Sequence, residues 1–196
     1  MTLQVSPKGK AFADRIVRRH NLQEGFLICV PPARWASKCY PVRHWRAVAT
    51  KLAVHAPVVL IGTAGERDLC QAVADGLAPG VLNLAGHTEV SEMVGLIATS
   101  SGVVCGDSAA QFIALAVGTG VVTLIGPTRV ERTGPVLAGH ARLGIGARAP
   151  GGAAIVADVP CQGCLKRRCR HITCMESIRP AQVVSAVEEI LLKRSH

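Results

Sequence analysis

Gly106-Asp107-Ser108 stands directly between an apolar run at residues 103–105 and a helical stretch at 109–117, which leads into a second apolar run at 121–125. A strand that turns sharply into a helix aims free backbone N–H groups and the positive helix end beyond the strand's carboxyl terminus, which suits a phosphate. Repetition of this unit is the strongest limit on the fold. Apolar runs at 26–30, 58–61 and 81–84 precede it, and another lies near 141–143. Amphipathic segments at 42–55, 66–77 and 90–100 fill the gaps. In the first of them Trp45, Val48, Leu52 and His55 recur every three or four residues, giving one face that can cover a sheet. Strand and helix in alternation predict an α/β fold: a Rossmann-like parallel sheet of about six strands, with right-handed crossovers and helices on both faces.

Apolar residues make up 49% of the 196 positions but aromatics only 3%, so the core must be built from Val, Leu, Ile and Ala, as packed parallel sheets are. The length allows one full domain and an appendage. Residues 1–25, with a helix-like stretch at 11–19, are expected to form an amino-terminal extension or interdomain helix outside the sheet. Residues 26–160 form the Rossmann-like domain. Gly146, Pro150, Gly151 and Gly152 predict a loop after residue 144. Residues 161–196 supply a cysteine-rich loop and a closing helix that starts at Pro180 and carries Val183, Val184 and Val187 on one side. No apolar run of about 18 residues occurs, and none follows Lys8 and Lys10. A soluble, cytoplasmic chain without a signal peptide is expected.

The net charge is +9, and Lys166, Arg167, Arg168 and Arg170 place nearly half of that excess between Cys161 and Cys174, where no acid stands. Such a patch suits anionic sugars, phosphate-rich lipid surfaces or nucleic acid, and charge alone does not choose among them. Cys161, Cys164, Cys169 and Cys174 form C-x2-C-x4-C-x4-C. In a reducing compartment four thiols at this spacing point to a structural zinc or iron, and equally to four reduced or partly disulfide-linked cysteines in a loop. Cys29, Cys70 and Cys105 read as small core residues, whereas Cys39 falls in a loop.

Ligands of open parallel sheets collect beyond the strands' carboxyl ends. The loops there read Pro31-Pro32-Ala33-Arg34-Trp35-Ala36-Ser37-Lys38-Cys39-Tyr40-Pro41, Gly62-Thr63-Ala64-Gly65-Glu66-Arg67, Asn83-Leu84-Ala85-Gly86, Gly106-Asp107-Ser108 and Gly126-Pro127-Thr128-Arg129-Val130-Glu131-Arg132-Thr133-Gly134-Pro135. In order and spacing, from about Phe26 onward and including the terminal cysteines, they resemble the carboxyl-terminal half of the family-9 glycosyltransferases, the ADP-heptose:lipopolysaccharide heptosyltransferases. The resemblance implies the donor-binding domain of a two-domain, inverting, metal-independent transferase. Lys38 matches the family's first-loop lysine, suited to the donor diphosphate. Glu66 takes the acidic position that accepts ribose hydroxyls. Asp107 matches as a helix cap, and Ser108 with its neighbours' amides as a phosphate donor. Arg34, Thr63, Ala109 and Thr128 stand in the same loops and are assigned to donor binding with them. Read locally, Lys38 and Arg34 are equally ordinary solvated charges, Asp107-Ser108 a simple cap, and Glu66 a first-turn acid.

The resemblance places the catalytic base in an amino-terminal domain that the sequence does not contain, so the chain is not expected to turn over alone. It implies an ADP-sugar donor, a lipid-linked saccharide acceptor at the inner face of the inner membrane, and no cofactor for catalysis. Ala109, Ala110 and Phe112 stand where the family has Gly, Pro and His; Pro32 replaces a Gly, and Arg129-Val130 replaces Asp-Pro. These departures support a second reading, a non-catalytic binding or scaffold module. A third, a nucleic-acid binder built on the metal knuckle and its basic loop, ranks last because the basic residues sit in one loop and few aromatics are available for base stacking.

Overall fold

The computed structural model describes residues 2–77, 80–135, 148–149 and 151–194. In chain order the elements are α1 (Pro7–Arg19), β1 (Leu27–Val30), α2 (Val42–Leu52), β2 (Val58–Leu60), α3 (Arg67–Ala74), β3 (Val81–Asn83), α4 (Val90–Thr99) and β4 (Gly102–Gly106). They continue with α5 (Ala109–Ala116), β5 (Val121–Ile125), α6 (Val130–Thr133), β6 (Arg148–Ala149), β7 (Gly152–Val156), α7 (Thr173–Glu176) and α8 (Pro180–Arg194). Among the described residues the strands make one sheet in the order β3-β2-β1-β4-β5-β7-β6. Neighbours are parallel throughout, except for the short edge strand β6, which runs against β7.

Side chains along each strand alternate between two buried layers, as the pleat requires. Leu27, Cys29, Val58, Leu60, Val104, Val122 and Leu124 face one layer, where α2, α3 and α8 contribute Trp45, Val73 and Val187. Ile28, Val30, Val59, Ile61, Val103 and Cys105 face the other, under α1, α4 and α5. The parallel sheet with helices on both faces agrees with the sequence-based expectation. Among the described residues no helix is long and apolar enough to cross a membrane.

Helix α1 lies outside the sheet but inside the core: Phe12, Ala13 and Ile16 share a buried cluster with Phe26 and Ile28. Its N-terminus is capped by Ser6, whose Oγ accepts the Gly9 N–H at 3.1 Å. It crosses α4 at a glycine on each helix. A Cβ on Gly95 would lie 2.1 Å from the Gly9 carbonyl oxygen, and one on Gly9 would lie 2.3 Å from that of Ser91.

The expectation for residues 146–152 needs correction. The predicted loop instead holds the edge strand β6 and the start of β7, and β7 pairs along its whole length with β5, Val121 beside Gly152 and Ile125 beside Val156. Gly and Ala have weak strand propensity, and that hid the strand in the sequence. Small residues are what the site admits: Ala153 packs into the layer under α8 and Ala154 against Ile125 and Val130. The strand expected near 141–143 lies outside the described residues.

The order of the strands reverses between β1 and β4. The chain leaves β1 for α2 on one face and leaves β4 for α5 on the other, so a crevice opens between the two strand ends.

Gly95→Ala should lower the unfolding free energy by ~1–3 kcal/mol, the range for overpacking a tight contact. A urea midpoint equal to the parent's would show that α1 and α4 do not meet there.

Candidate functional site

At the reversal point the loop after β1 and the turn after β4 are joined by an ion pair. A short 3-10 turn, Ala36–Lys38, carries Lys38 across the crevice. Its Nζ lies 2.8 Å from Asp107 Oδ2, and it also donates at 3.4 Å to the Asp107 carbonyl. The same ammonium sits 4.4 Å from the centre of the Trp35 ring. The two side chains are only 14% and 6% exposed, so the pair is screened little by water. Asp107 Oδ1 accepts in turn from Gln111 Nε2 at 3.0 Å, and that amide also reaches the Thr133 carbonyl. One chain of bonds thereby ties the first loop, α5 and α6 together.

Beside this bridge lies a cavity of about 390 Å³, within the range of small-molecule sites. Its walls are chiefly apolar, with Val30, Pro32, Ile61, Val90 and Met93 among them, and its polar groups are few: Arg34, Thr63, Glu66, Thr88, Glu89 and Ser108. Glu66 Oε2 accepts both the Thr63 N–H and the Thr63 hydroxyl at 2.8 Å, which fixes the carboxylate and caps the short turn that starts α3. Ser108 takes the N-cap position of α5, with Ala109 and Ala110 bordering the cavity after it. The Ser108 hydroxyl is shielded from solvent and hydrogen-bonds no nitrogen or oxygen of the described residues; the Cys105 thiol beside it is only a weak partner. A buried hydroxyl of this kind has bonding capacity left for a ligand.

Of the eight residues assigned to donor binding from the sequence, Arg34, Thr63, Glu66, Ser108 and Ala109 border this one cavity. Lys38, Asp107 and Thr128 do not. Lys38 and Asp107 are turned toward each other, and Asp107 serves as the lysine's counter-ion rather than as a helix cap, a position that Ser108 holds. Thr128 is buried beneath the cysteine-rich segment, and its carbonyl accepts from Gln162 Nε2 at 2.8 Å. Phe112, which stands where the family has His, is 48% exposed on α5. Sequence reasoning missed the contribution of the start of α4, which brings Glu89, Val90 and Met93 to the cavity. Glu89 and Glu92 cap that helix reciprocally, and Lys8 of α1 pairs with Glu89. The Glu-x-x-Glu spacing signalled a helix start, but only the packing of α4 beside β1 and β2 brings it to the site.

Burial pushes the Cys70 and Cys105 thiols up to about 12, and raises Cys29 further still, so all three are inert core groups. Cys39 is half-buried and donates weakly to the carbonyls of Ala33 and Trp35. In the terminal cluster, backbone N–H groups of His171 and Ile172 lower the Cys169 thiol, while burial raises Cys174. Cys161, Cys164 and Cys169 lie near enough for their charges to act on Cys174. Even so, among the described residues no three of His, Cys, Asp or Glu are gathered to hold a metal ion.

Comparison with known proteins agrees with this architecture. Residues 1–169 match the model of glycosyltransferase family 9 (heptosyltransferase). Lipooligosaccharide heptosyltransferase 2 of Haemophilus influenzae is 34% identical over 111 residues, covering 54% of this chain and 31% of that protein. The structure of E. coli ADP-heptose lps heptosyltransferase II superposes with a TM-score of 0.78 at 22% identity, over 100% of this chain and 54% of that one. The iron-containing dodecameric glycosyltransferase TibC of enterotoxigenic E. coli H10407 superposes at 0.62 and 17% identity, over 88% of this chain and 46% of that one. The chain thus spans about half the length, or less, of these relatives. Because the family model covers most of the sequence, the chain belongs to glycosyltransferase family 9.

Proposed function

We propose that this chain is the donor-holding domain of a glycosyltransferase that moves heptose, or a related sugar, from an ADP-sugar to a saccharide of the lipopolysaccharide core. The observation that carries this reading is the cavity at the reversal point, where five of the residues assigned from the sequence converge. Its apolar walls suit a nucleobase, and the fixed Glu66 carboxylate suits ribose hydroxyls. Arg34 and the first turn of α5 suit the diphosphate. When the bond from the sugar's anomeric carbon to the diphosphate oxygen breaks, negative charge gathers on the leaving ADP. Arg34, the α5 N-terminus and the N–H that Lys38 retains would stabilise that charge without a metal. The base that takes the acceptor's proton would come from a facing domain. The acceptor would be lipid-linked, meeting a cytoplasmic enzyme at the inner face of the inner membrane.

At saturating ADP the melting temperature should rise by roughly 5–10 °C, as mass action on the folded state predicts for a chain of this size. No rise at millimolar ADP, together with binding created by Ala109→Gly/Phe112→His, would favour the scaffold reading, which the exposed Phe112 at the motif's His position supports.

Lys38→Met should cost about 3 kcal/mol of stability, because it strands a buried carboxylate, whereas Lys38→Met/Asp107→Leu should restore much of that loss. ADP affinity should fall in both. Recovery of affinity along with stability would make Lys38 a structural residue alone.

The four terminal cysteines would hold a structural zinc or iron once drawn together; their spacing supports this, as does the iron-containing relative. Elemental analysis of the purified chain should find about one ion per chain. Metal-free protein whose Cys161, Cys164, Cys169 and Cys174 all react with a thiol reagent would overturn this.

A further inference from the structure

A second cavity, of about 340 Å³, lies on the other side of Arg34 and is lined by Arg34, Trp35, Ala36, Arg167 and Arg168. Three arginines line it from two segments far apart in sequence. Among the described residues none of the three has a carboxylate partner, and neither segment, 31–41 or 161–174, contains an acid. Like charges gathered without a counter-ion repel one another, and an anionic ligand would relieve that repulsion.

The two walls are held in register. Ser37, 1% exposed, donates its N–H to the Arg167 carbonyl at 3.3 Å and its hydroxyl to the Lys166 carbonyl at 2.5 Å. On the far side of the segment, Leu165 N–H bonds the Pro127 carbonyl at 2.8 Å, and Leu165 itself adopts φ 59°, a tight turn that delivers Lys166, Arg167 and Arg168 to the first loop. The Arg167 guanidinium lies 5.4 Å from the centre of the Trp35 ring, so an aromatic surface positions it.

We propose that this shelf binds a phosphate or carboxylate group carried by a carbohydrate. Planar guanidinium forks match either anion in a bidentate manner, and the indole beside them offers an apolar surface to a sugar ring. On the reading of this chain as a donor-holding domain, the carbohydrate is the acceptor. Arg34 borders both cavities, so the shelf sets an anionic saccharide next to the sugar that the donor delivers. A single indole leaves little for the serial base stacking that single-stranded nucleic acid needs.

The protein has two tryptophans, and Trp45 is buried under α2, so the two indole N–H resonances separate the shelf from the core. The chain, with and without ADP, is titrated with glucose 6-phosphate, glucuronate and methyl glucoside. The Trp35 signal should move with the two anionic sugars and not with the neutral one, while the Trp45 signal stays in place. Arg167→Ser/Arg168→Ser should weaken the anionic sugars at least tenfold and leave ADP affinity unchanged. The Ser37 contacts use the segment's backbone, so these exposed side chains can be replaced without undoing the docking. An equal response to methyl glucoside, titration unaltered in the double variant, or displacement of the sugar phosphate by ADP would each overturn the shelf. Tighter binding of oligouridylate through the same two arginines would overturn it in favour of nucleic acid. If ADP fails to bind while glucose 6-phosphate still moves Trp35, the donor reading falls and the shelf stands.

Discussion

The Lys38–Asp107 pair holds the site together, because it spans the reversal point between β1 and β4, where neighbouring strand ends send their chains to opposite faces. Without a tie across that crevice, the loop after β1 would have no reason to lie against the first turn of α5. With it, the loop's backbone is brought over β4, Trp35 covers the ammonium, and Gln111 carries the network on to the α5–α6 segment. Two nearly buried charges are tolerated because each has its counter-charge and further hydrogen bonds, the condition under which burial of ions is not prohibitive. The cavity beside them owes its shape to this arrangement.

The cysteine-rich segment extends the same logic. It runs from the end of β7 back across the end of β5 to the first loop, bonding Pro127, Thr128 and Ser37 on its way. Met175 fills the space over Gly126, where a side chain on the glycine would strike the methionine sulfur. The segment is therefore a strap over two of the loops that frame the site, and its basic residues are presented beside the first loop rather than dispersed in solvent. Its excess charge acquires a location, and with it a chemical use, only through this docking.

How far the sequence could be read depended on the range of the interaction concerned. Strands β1, β2, β4 and β5 were legible because each is a run of β-branched or aliphatic residues buried on both faces, and α2 because Trp45, Val48 and Leu52 repeat at the helical period. Strand β7 was not legible: Gly152, Ala153 and Ala154 carry no strand preference of their own and become a strand by pairing with β5. Glu66 was legible as a first-turn acid, and the Thr63 capping box is that local role; its place on a cavity wall follows from the sheet. The role of Asp107 was misread because its partner lies 69 positions earlier in the chain.

The sequence by itself determined the alternation of strand and helix, the inert core thiols and the loops from which a ligand site must be drawn. These rest on local periodicity and on the burial of apolar groups, both of which act over a few residues. Only the tertiary structure decided that Lys38 faces Asp107 rather than open solvent, that α1 locks onto α4 through paired glycines, and that Arg34, Arg167 and Arg168 line one cavity. Such outcomes depend on distances between segments far apart in the chain, and the order of the strands sets those distances.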